Sequence, residues 1–139
     1  MTAGAEPIVV DTNILFSALL RSESAFRRVL FRSGREFVVC ETTLAELFRR
    51  KEKLVRTTRL DDAELTVGYY LLLKRVRLHK EASIPKACWD QASALCRGID
   101  AEDMPQVALA LALDGLLWTG DNVLKAGLRA KGFDRFFTL

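Results

Sequence analysis

The sequence predicts an α/β fold: a three-layer α/β/α sandwich built on a central, mainly parallel sheet. Three observations predict it. Short apolar segments such as "IVV" (Ile8–Val10) punctuate the chain, and a strand apolar on both faces belongs in a sheet that is covered on both sides. Stretches of helical periodicity alternate with these segments, which implies parallel pairing through crossover connections. Acids stand directly after two of the segments, at Asp11 and Asp121. Ligands of such sheets sit outside the carboxyl ends of the strands.

After Ile8–Val10, helical signals run through Leu20. The stretch "SAFRRVLFRSG" carries apolar Phe26, Val29 and Leu30, and Gly34 stops it as a helix C-terminal glycine does. "EFVVC" (Glu36–Cys40) is a second strand, and "TTLAELFRRKEKL" a helix with Leu44, Leu47 and Phe48 on one side. A long helix is expected from Asp61 to about Arg77. "IPKACWDQASALCRG" reads as another, with Pro85 in its first turn and Gly98 beyond its end. "DMPQVALALALDG" is apolar nearly all round and therefore central. "LLWTG" (Leu116–Gly120) is a strand, "DNVLKAGLRAKG" a helix ended by Gly132, and "RFFTL" a last strand.

With 139 residues, 50% of them hydrophobic and 28% charged, the chain suits a single domain over 1–139 with a real core. No apolar run reaches the roughly 18 residues of a membrane span. "MTAGAEP" shows no basic region followed by an apolar one, so a cytoplasmic location without membrane contact is expected. Cys40, Cys88 and Cys96 are odd in number and lack close metal-type spacing, and read as reduced thiols. Net charge is only +3. Basic residues nevertheless cluster at Arg27, Arg28, Arg32 and Arg35, at Arg49, Arg50, Lys51, Lys53, Arg56 and Arg59, and from Lys74 through Arg75, Arg77 and His79 to Lys80. A basic rim around the acidic stretch "GIDAED" suits a polyanion that meets a metal site, while each cluster alone is equally the solvated face of a helix.

Four acids occupy comparable places: Asp11, Glu46, Asp103 and Asp121. Asp11 and Asp121 follow strands, Glu46 is expected in the first turn of the helix after the second strand, and Asp103 opens the apolar helix. All four can then stand at one end of the sheet. Helix capping accounts for each singly: Asp is a favoured N-cap, and Thr43 with Glu46 has the spacing of a capping box. Capping accepts Ser, Thr or Asn as well, yet all four positions are acidic. Converging carboxylates repel and raise one another's pKa values unless a cation lies between them. With oxygen donors and no His or Cys pattern, that cation is Mg²⁺ or Mn²⁺ rather than zinc. The single histidine, His79, is expected on a basic helical end at the surface.

Taken together, "VVDTNILFSALL", "TTLAEL" and "DAEDMPQVALALALDGLLWTGDNVL" closely resemble the PIN domain family, in its order and spacing and over nearly the whole chain. "DTN" and "TGD" are weak signals alone; their conjunction with "AEL" and the apolar "DMPQVALALA" is specific. The resemblance implies a Mg²⁺- or Mn²⁺-dependent ribonuclease, and many small members are VapC-type toxins paired with an antitoxin. It implies Asp11 and Asp103 as main metal ligands, Glu46 at a second metal or the attacking water, and Asp121 at a coordinated water or second ion. Asn13 and Thr119 orient the carboxylates through hydrogen bonds, and Asp100 is a possible accessory ligand. Arg21, Lys125 and Arg129 are candidates for gripping the RNA backbone, contacts that position RNA without specifying its sequence. The helix from Asp61 is apolar on more than one stripe, through Leu65, Val67, Tyr69, Tyr70, Leu71, Leu72, Leu73 and Val76. The corresponding region often serves dimer and antitoxin contacts in the family, so a homodimer is expected.

Three other readings compete. A Mg²⁺-dependent receiver-type signalling domain needs an acid pair at the first strand end and a strand-end Lys; neither is evident. A phosphatase with a nucleophilic Asp needs Asp-x-Asp, and Asn13 holds the second position. A catalytically silent PIN scaffold that binds RNA or protein remains compatible with the sequence, although the intact acidic set argues against it.

Overall fold

A computed structural model describes residues 5–20, 25–50, 53, 56 and 61–139. Its centre is a four-stranded, wholly parallel sheet with strand order β3-β2-β1-β4. The strands are β1 (Ile8–Val10), β2 (Phe37–Cys40), β3 (Val76–His79) and β4 (Leu116–Trp118). Between them run α1 (Thr12–Leu20), α2 (Ala25–Arg32), α3 (Glu41–Arg49), α4 (Asp62–Arg75), α5 (Lys86–Cys96) and α6 (Met104–Leu113), and α7 (Asn122–Ala130) follows β4. Short 3₁₀ turns occupy Glu81–Ser83 and Ala101–Asp103.

Side-chain alternation divides the strands between two cores. Ile8, Val10, Phe37, Val39 and Trp118 face Leu15, Leu30, Leu47, Leu65 and Leu72 from α1 to α4. Val9, Val38, Cys40 and Leu117 face Leu95, Val107, Leu109, Leu124 and Leu128 from α5 to α7. Every residue of β1 and β2 is buried, which is why both segments read as continuously apolar. The α/β/α sandwich with a parallel sheet is therefore observed. Cys40, Cys88 and Cys96 are free thiols, and burial pushes Cys96 up to about 11.

The strand order reverses at β1, which lies between β2 and β4. This places the crevice at the carboxyl ends of β1 and β4, where open α/β sheets bind ligands. Gly115 makes the β1–β4 pairing possible. A Cβ there would lie 2.6 Å from the Pro7 carbonyl oxygen, and the next residue donates through Leu116 N to that same oxygen at 2.9 Å.

Five sequence expectations need correction. The helix expected to reach Arg77 ends at Arg75, and Val76–His79 pairs with β2 from Phe37↔Val76 to Cys40↔His79. This edge strand is half exposed, so its "VRLH" carries no apolar run. His79 consequently sits at a strand end rather than a helical one. The expected "RFFTL" strand contributes a single bridge, Leu117↔Phe136, although Phe136 and Phe137 do turn their rings to opposite cores. Finally, α3 begins at Glu41 after Cys40 with no side-chain cap, so Glu46 lies in the second turn and the Thr43–Glu46 capping box does not form. Pro85, expected in the first turn of its helix, is the N-cap residue instead.

Candidate active site

Asp11 joins β1 to α1. Its N–H donates to Trp118 O at 2.9 Å and continues the sheet, while its carbonyl accepts from Ile14 N at 3.1 Å and starts the helix. The side chain is only 4% exposed. Thr119, which follows β4, donates from Oγ1 to Asp11 Oδ2 at 2.8 Å. The same oxygen accepts the Asp121 N–H at 3.1 Å, so one hydroxyl ties the ends of β1 and β4 to the start of α7. Burial pushes the Asp11 carboxyl up; the Thr119 hydroxyl, the Gln106 amide and the backbone N–H groups of Thr12 and Asn13 pull it back.

Asp103 closes the 3₁₀ turn that leads into α6, whose first turn contains Pro105, a residue favoured where the N–H has no helical partner. Asp100 starts the turn by accepting the Glu102 N–H at 2.9 Å. Packing against α7 holds this loop: a Cβ on Gly127 would come within 2.5 Å of Ile99 Cδ1. Asp103 is pushed up to about 7 by burial first, then by the negative charge of Asp11, by the Asp100 side chain and by Asp121. The carboxylates of three separate elements thus act on one another.

These groups line one small pocket of about 90 Å³, enclosed by Asp11, Thr12, Asn13, Glu46, Arg50, Asp100, Glu102, Asp103, Gln106 and Asp121. Glu46 enters from α3. Asp121 caps α7 by accepting Val123 N and Leu124 N on Oδ1, both at 3.0 Å. Capping and pocket lining therefore coexist in this residue. The donors are all oxygens, the type that holds hard divalent cations. Among the described residues, no three carboxylate, thiol or imidazole groups draw together tightly enough to enclose an ion in the present side-chain positions. Mutual repulsion opposes such closure, and Mg²⁺ keeps several waters instead of demanding an all-protein cage. Two buried oxygens in the pocket wall, Thr12 Oγ1 and Gln106 Oε1, have no hydrogen-bond partner. Each such atom costs about 1–3 kcal/mol unless something in the pocket satisfies it.

The family model of the PIN domain matches residues 9–137. The chain belongs to the PIN domain family. No curated protein matches its sequence. Solved structures share the fold at low identity. VapBC2 from Rickettsia felis, bound to a DNA fragment from its promoter, gives a TM-score of 0.64 at 15% identity over 83% of this chain and 88% of that one. PAE2754 from Pyrobaculum aerophilum gives 0.63 at 18% over 88% and 80%. Mycobacterium tuberculosis VapC20, a Sarcin-Ricin loop cleaving toxin, gives 0.54 at 18% over 91% and 95%.

In this PIN domain, Asp11, Glu46, Asp103 and Asp121, far apart in sequence, converge with Asp100 on one pocket. Thr119 meets Asp11 directly, whereas Asn13 favours the Asp11 carboxylate through its backbone N–H. The basic candidates fare differently. Arg129 is at the far end of α7, donating to Asp134 Oδ1 at 2.7 Å and stacked over Phe136. Lys125 does not line the acidic pocket. Arg21 lies outside the described residues. Arg35 and Arg75 donate to the Glu6 and Leu30 carbonyls, so part of the basic rim serves the fold. The cation that does enter the pocket is Arg50, held over the Phe16 ring at 5.5 Å. In the sequence it is one member of a charged run. Gln106 and Thr12, also in the pocket, carry no charge and do not stand out in the sequence as site residues, although both lie inside its motifs, Thr12 in "DTN" and Gln106 in "DMPQVALALA". Among the described residues no helix is long and apolar enough to cross a membrane.

Proposed function

We propose that this PIN domain is a Mg²⁺- or Mn²⁺-dependent endoribonuclease that hydrolyses RNA phosphodiester bonds, the toxin of a type II toxin–antitoxin pair acting in the cytoplasm. The observation that carries the reading is the convergence of Asp11, Glu46, Asp100, Asp103 and Asp121 on one small pocket, where burial first, and then the charges of Asp11, Asp100 and Asp121, raise Asp103. A fold that concentrates like charge in this way is stabilised when a cation neutralises it. Asp11 and Asp103 are the principal ligands in this reading, with Asp121 and Asp100 beside them. Thr119 keeps the Asp11 carboxylate oriented. Glu46, from α3, orients the attacking water. A cation held by these carboxylates would supply Lewis-acid polarisation of the phosphate, a lowered pKa for water and charge to offset that developing on the phosphoryl oxygens. Arg50 at the mouth attracts the RNA backbone, which gives salt-dependent affinity without sequence reading.

The fold shared with a VapBC complex supports an antitoxin partner. The exposed apolar side chains of α4, Val67, Tyr70, Leu71 and Leu73, support a homodimer, since contiguous apolar patches of this kind mark protein interfaces.

The test is RNA cleavage by wild type and Asp11→Asn in Mg²⁺, in Mn²⁺ and in EDTA. Wild type cleaves only with metal, and the substitution reduces cleavage at least about 100-fold, as loss of several kcal/mol of charge stabilisation requires. Equal cleavage by both proteins refutes the mechanism. Metal-dependent RNA or protein binding without cleavage by wild type would make the chain a silent scaffold instead.

A further inference from the structure

Gln106 is out of character with its helix. It is the third residue of α6, which continues through Val107, Ala108, Leu109 and Ala110, all buried. Gln106 itself is 5% exposed and lines the acidic pocket beside Asp11 and Asp103. A buried amide at a position surrounded by apolar packing is retained at a cost unless all its polar atoms are used.

Only one end of this amide is used. Nε2 points at Thr43 Oγ1, 3.5 Å away. That leaves Oε1 as the end without a partner. Thr43 is itself fully buried, and its hydroxyl already engages Cys40 Sγ at 3.3 Å. Among the described residues three buried side-chain polar atoms lack a partner, and two of them, Thr12 Oγ1 and Gln106 Oε1, belong to residues of this pocket wall. Their coincidence points to an occupant that offers hydrogen-bond donors. A hydrated divalent cation does so through its waters, and acidic neighbours favour it over an anion.

We propose that Gln106 is a positioning residue of this site: its Oε1 accepts a hydrogen bond from a water that enters with the divalent cation. This rests on the metal-dependent reading above and assigns that reading a residue outside the acidic set. Neutral groups that hold ligand side chains and coordinated waters commonly change metal affinity by about 10–100-fold when removed.

The experiment is calorimetric titration of the full chain with Mn²⁺, paired with the melting temperature in EDTA. Gln106→Met fills the same volume without polar atoms. It is expected to bind Mn²⁺ about 10–100-fold more weakly while melting in EDTA no lower than wild type, because the unpartnered oxygen is gone. Gln106→Glu keeps the acceptor; it is expected to bind Mn²⁺ at least as tightly as wild type and to melt lower in EDTA, from the added charge. A merely structural amide would reverse the pattern: Gln106→Met would melt lower in EDTA and its folded fraction would bind Mn²⁺ normally, which overturns the proposal. If Gln106→Met loses stability as well as affinity, Gln106→Glu decides, and weak binding by that variant too overturns it. Wild type that fails to bind either Mn²⁺ or Mg²⁺ overturns the metal-dependent reading along with this one. Tight binding by wild type and Gln106→Met alike overturns this one alone.

Discussion

Thr119 Oγ1 donates to Asp11 Oδ2 at 2.8 Å, joining residues 108 positions apart in sequence. Parallel pairing of β1 with β4 in the register Val10↔Trp118 brings the two together. Both residues are almost fully buried, so the bond works at low local dielectric, where a charge-assisted hydrogen bond is strong.

Thr119→Val is isosteric but removes that donor and the acceptor of the Asp121 N–H. Chemical denaturation should show a loss of about 1–3 kcal/mol. Metal-dependent RNA cleavage should fall by about 10–100-fold beyond any loss of folded protein. Thr119→Ser, which keeps the hydroxyl, should recover most of both. Full activity in Thr119→Val would show that Asp11 needs no such support.

Asp103 links stability to pH. Its folded pKa of about 7 lies above the ordinary value of 3.8, so the folded chain holds a proton that the unfolded chain releases. The resulting stabilisation is complete below about pH 4 and is lost as pH rises through about 7. In EDTA, stability should therefore decline across that window, with Asp11, also raised, acting in the same direction. Asp103→Asn removes the Asp103 contribution. At pH 7.5 without metal it should be more stable than wild type by about 1–2 kcal/mol, a figure discounted for solvent access, and the difference should shrink to under about half at pH 5 and vanish below about pH 4. Saturating Mg²⁺ should stabilise wild type more at pH 7.5 than at pH 5, because the cation binds the deprotonated form. Denaturation curves that superimpose at both pH values would contradict the convergence of charge on Asp103.

Arg50 borders both the acidic pocket and the adjoining hollow formed with Glu46, Arg49 and Glu102. Arg50→Ala should raise KM for RNA about 5–10-fold and change kcat little. The slope of log affinity against log salt should become shallower by about 0.7, the amount expected for one single-strand phosphate contact. An unchanged slope would place the phosphate path elsewhere. The same substitution should not weaken Mn²⁺ binding, since it removes positive charge from beside the carboxylates.

On α4, Val67 is 56% and Tyr70 60% exposed. Light scattering should report twice the 15.6 kDa chain mass for wild type. The double substitution Val67→Arg, Tyr70→Arg should give the single mass and a normal circular dichroism spectrum, because neither side chain belongs to the core. Wild type that stays monomeric at high micromolar concentration would remove the homodimer from the proposal.

The amino-acid sequence by itself determined the layers. Ile8–Val10 and Phe37–Cys40 are apolar on both faces because both faces are covered, and Gly34, Gly98 and Gly132 end their helices at positive φ. It also marked Asp11, Glu46, Asp103 and Asp121 as acids able to stand at one end of the sheet, and all four line one pocket. Tertiary structure alone decided the rest. Val76–His79 became a strand because β2 offered it an edge; half exposed, it had no apolar run to announce it. Arg129 went to Asp134 and Arg50 to the acidic pocket, although both look alike as surface charges. Gln106 acquired its environment from Asp11 and Thr43, residues contributed by β1 and α3. Apolar periodicity reports whether a segment is buried. The partner that each polar atom finds depends on distant backbone brought near by strand pairing, and no local pattern carries that information.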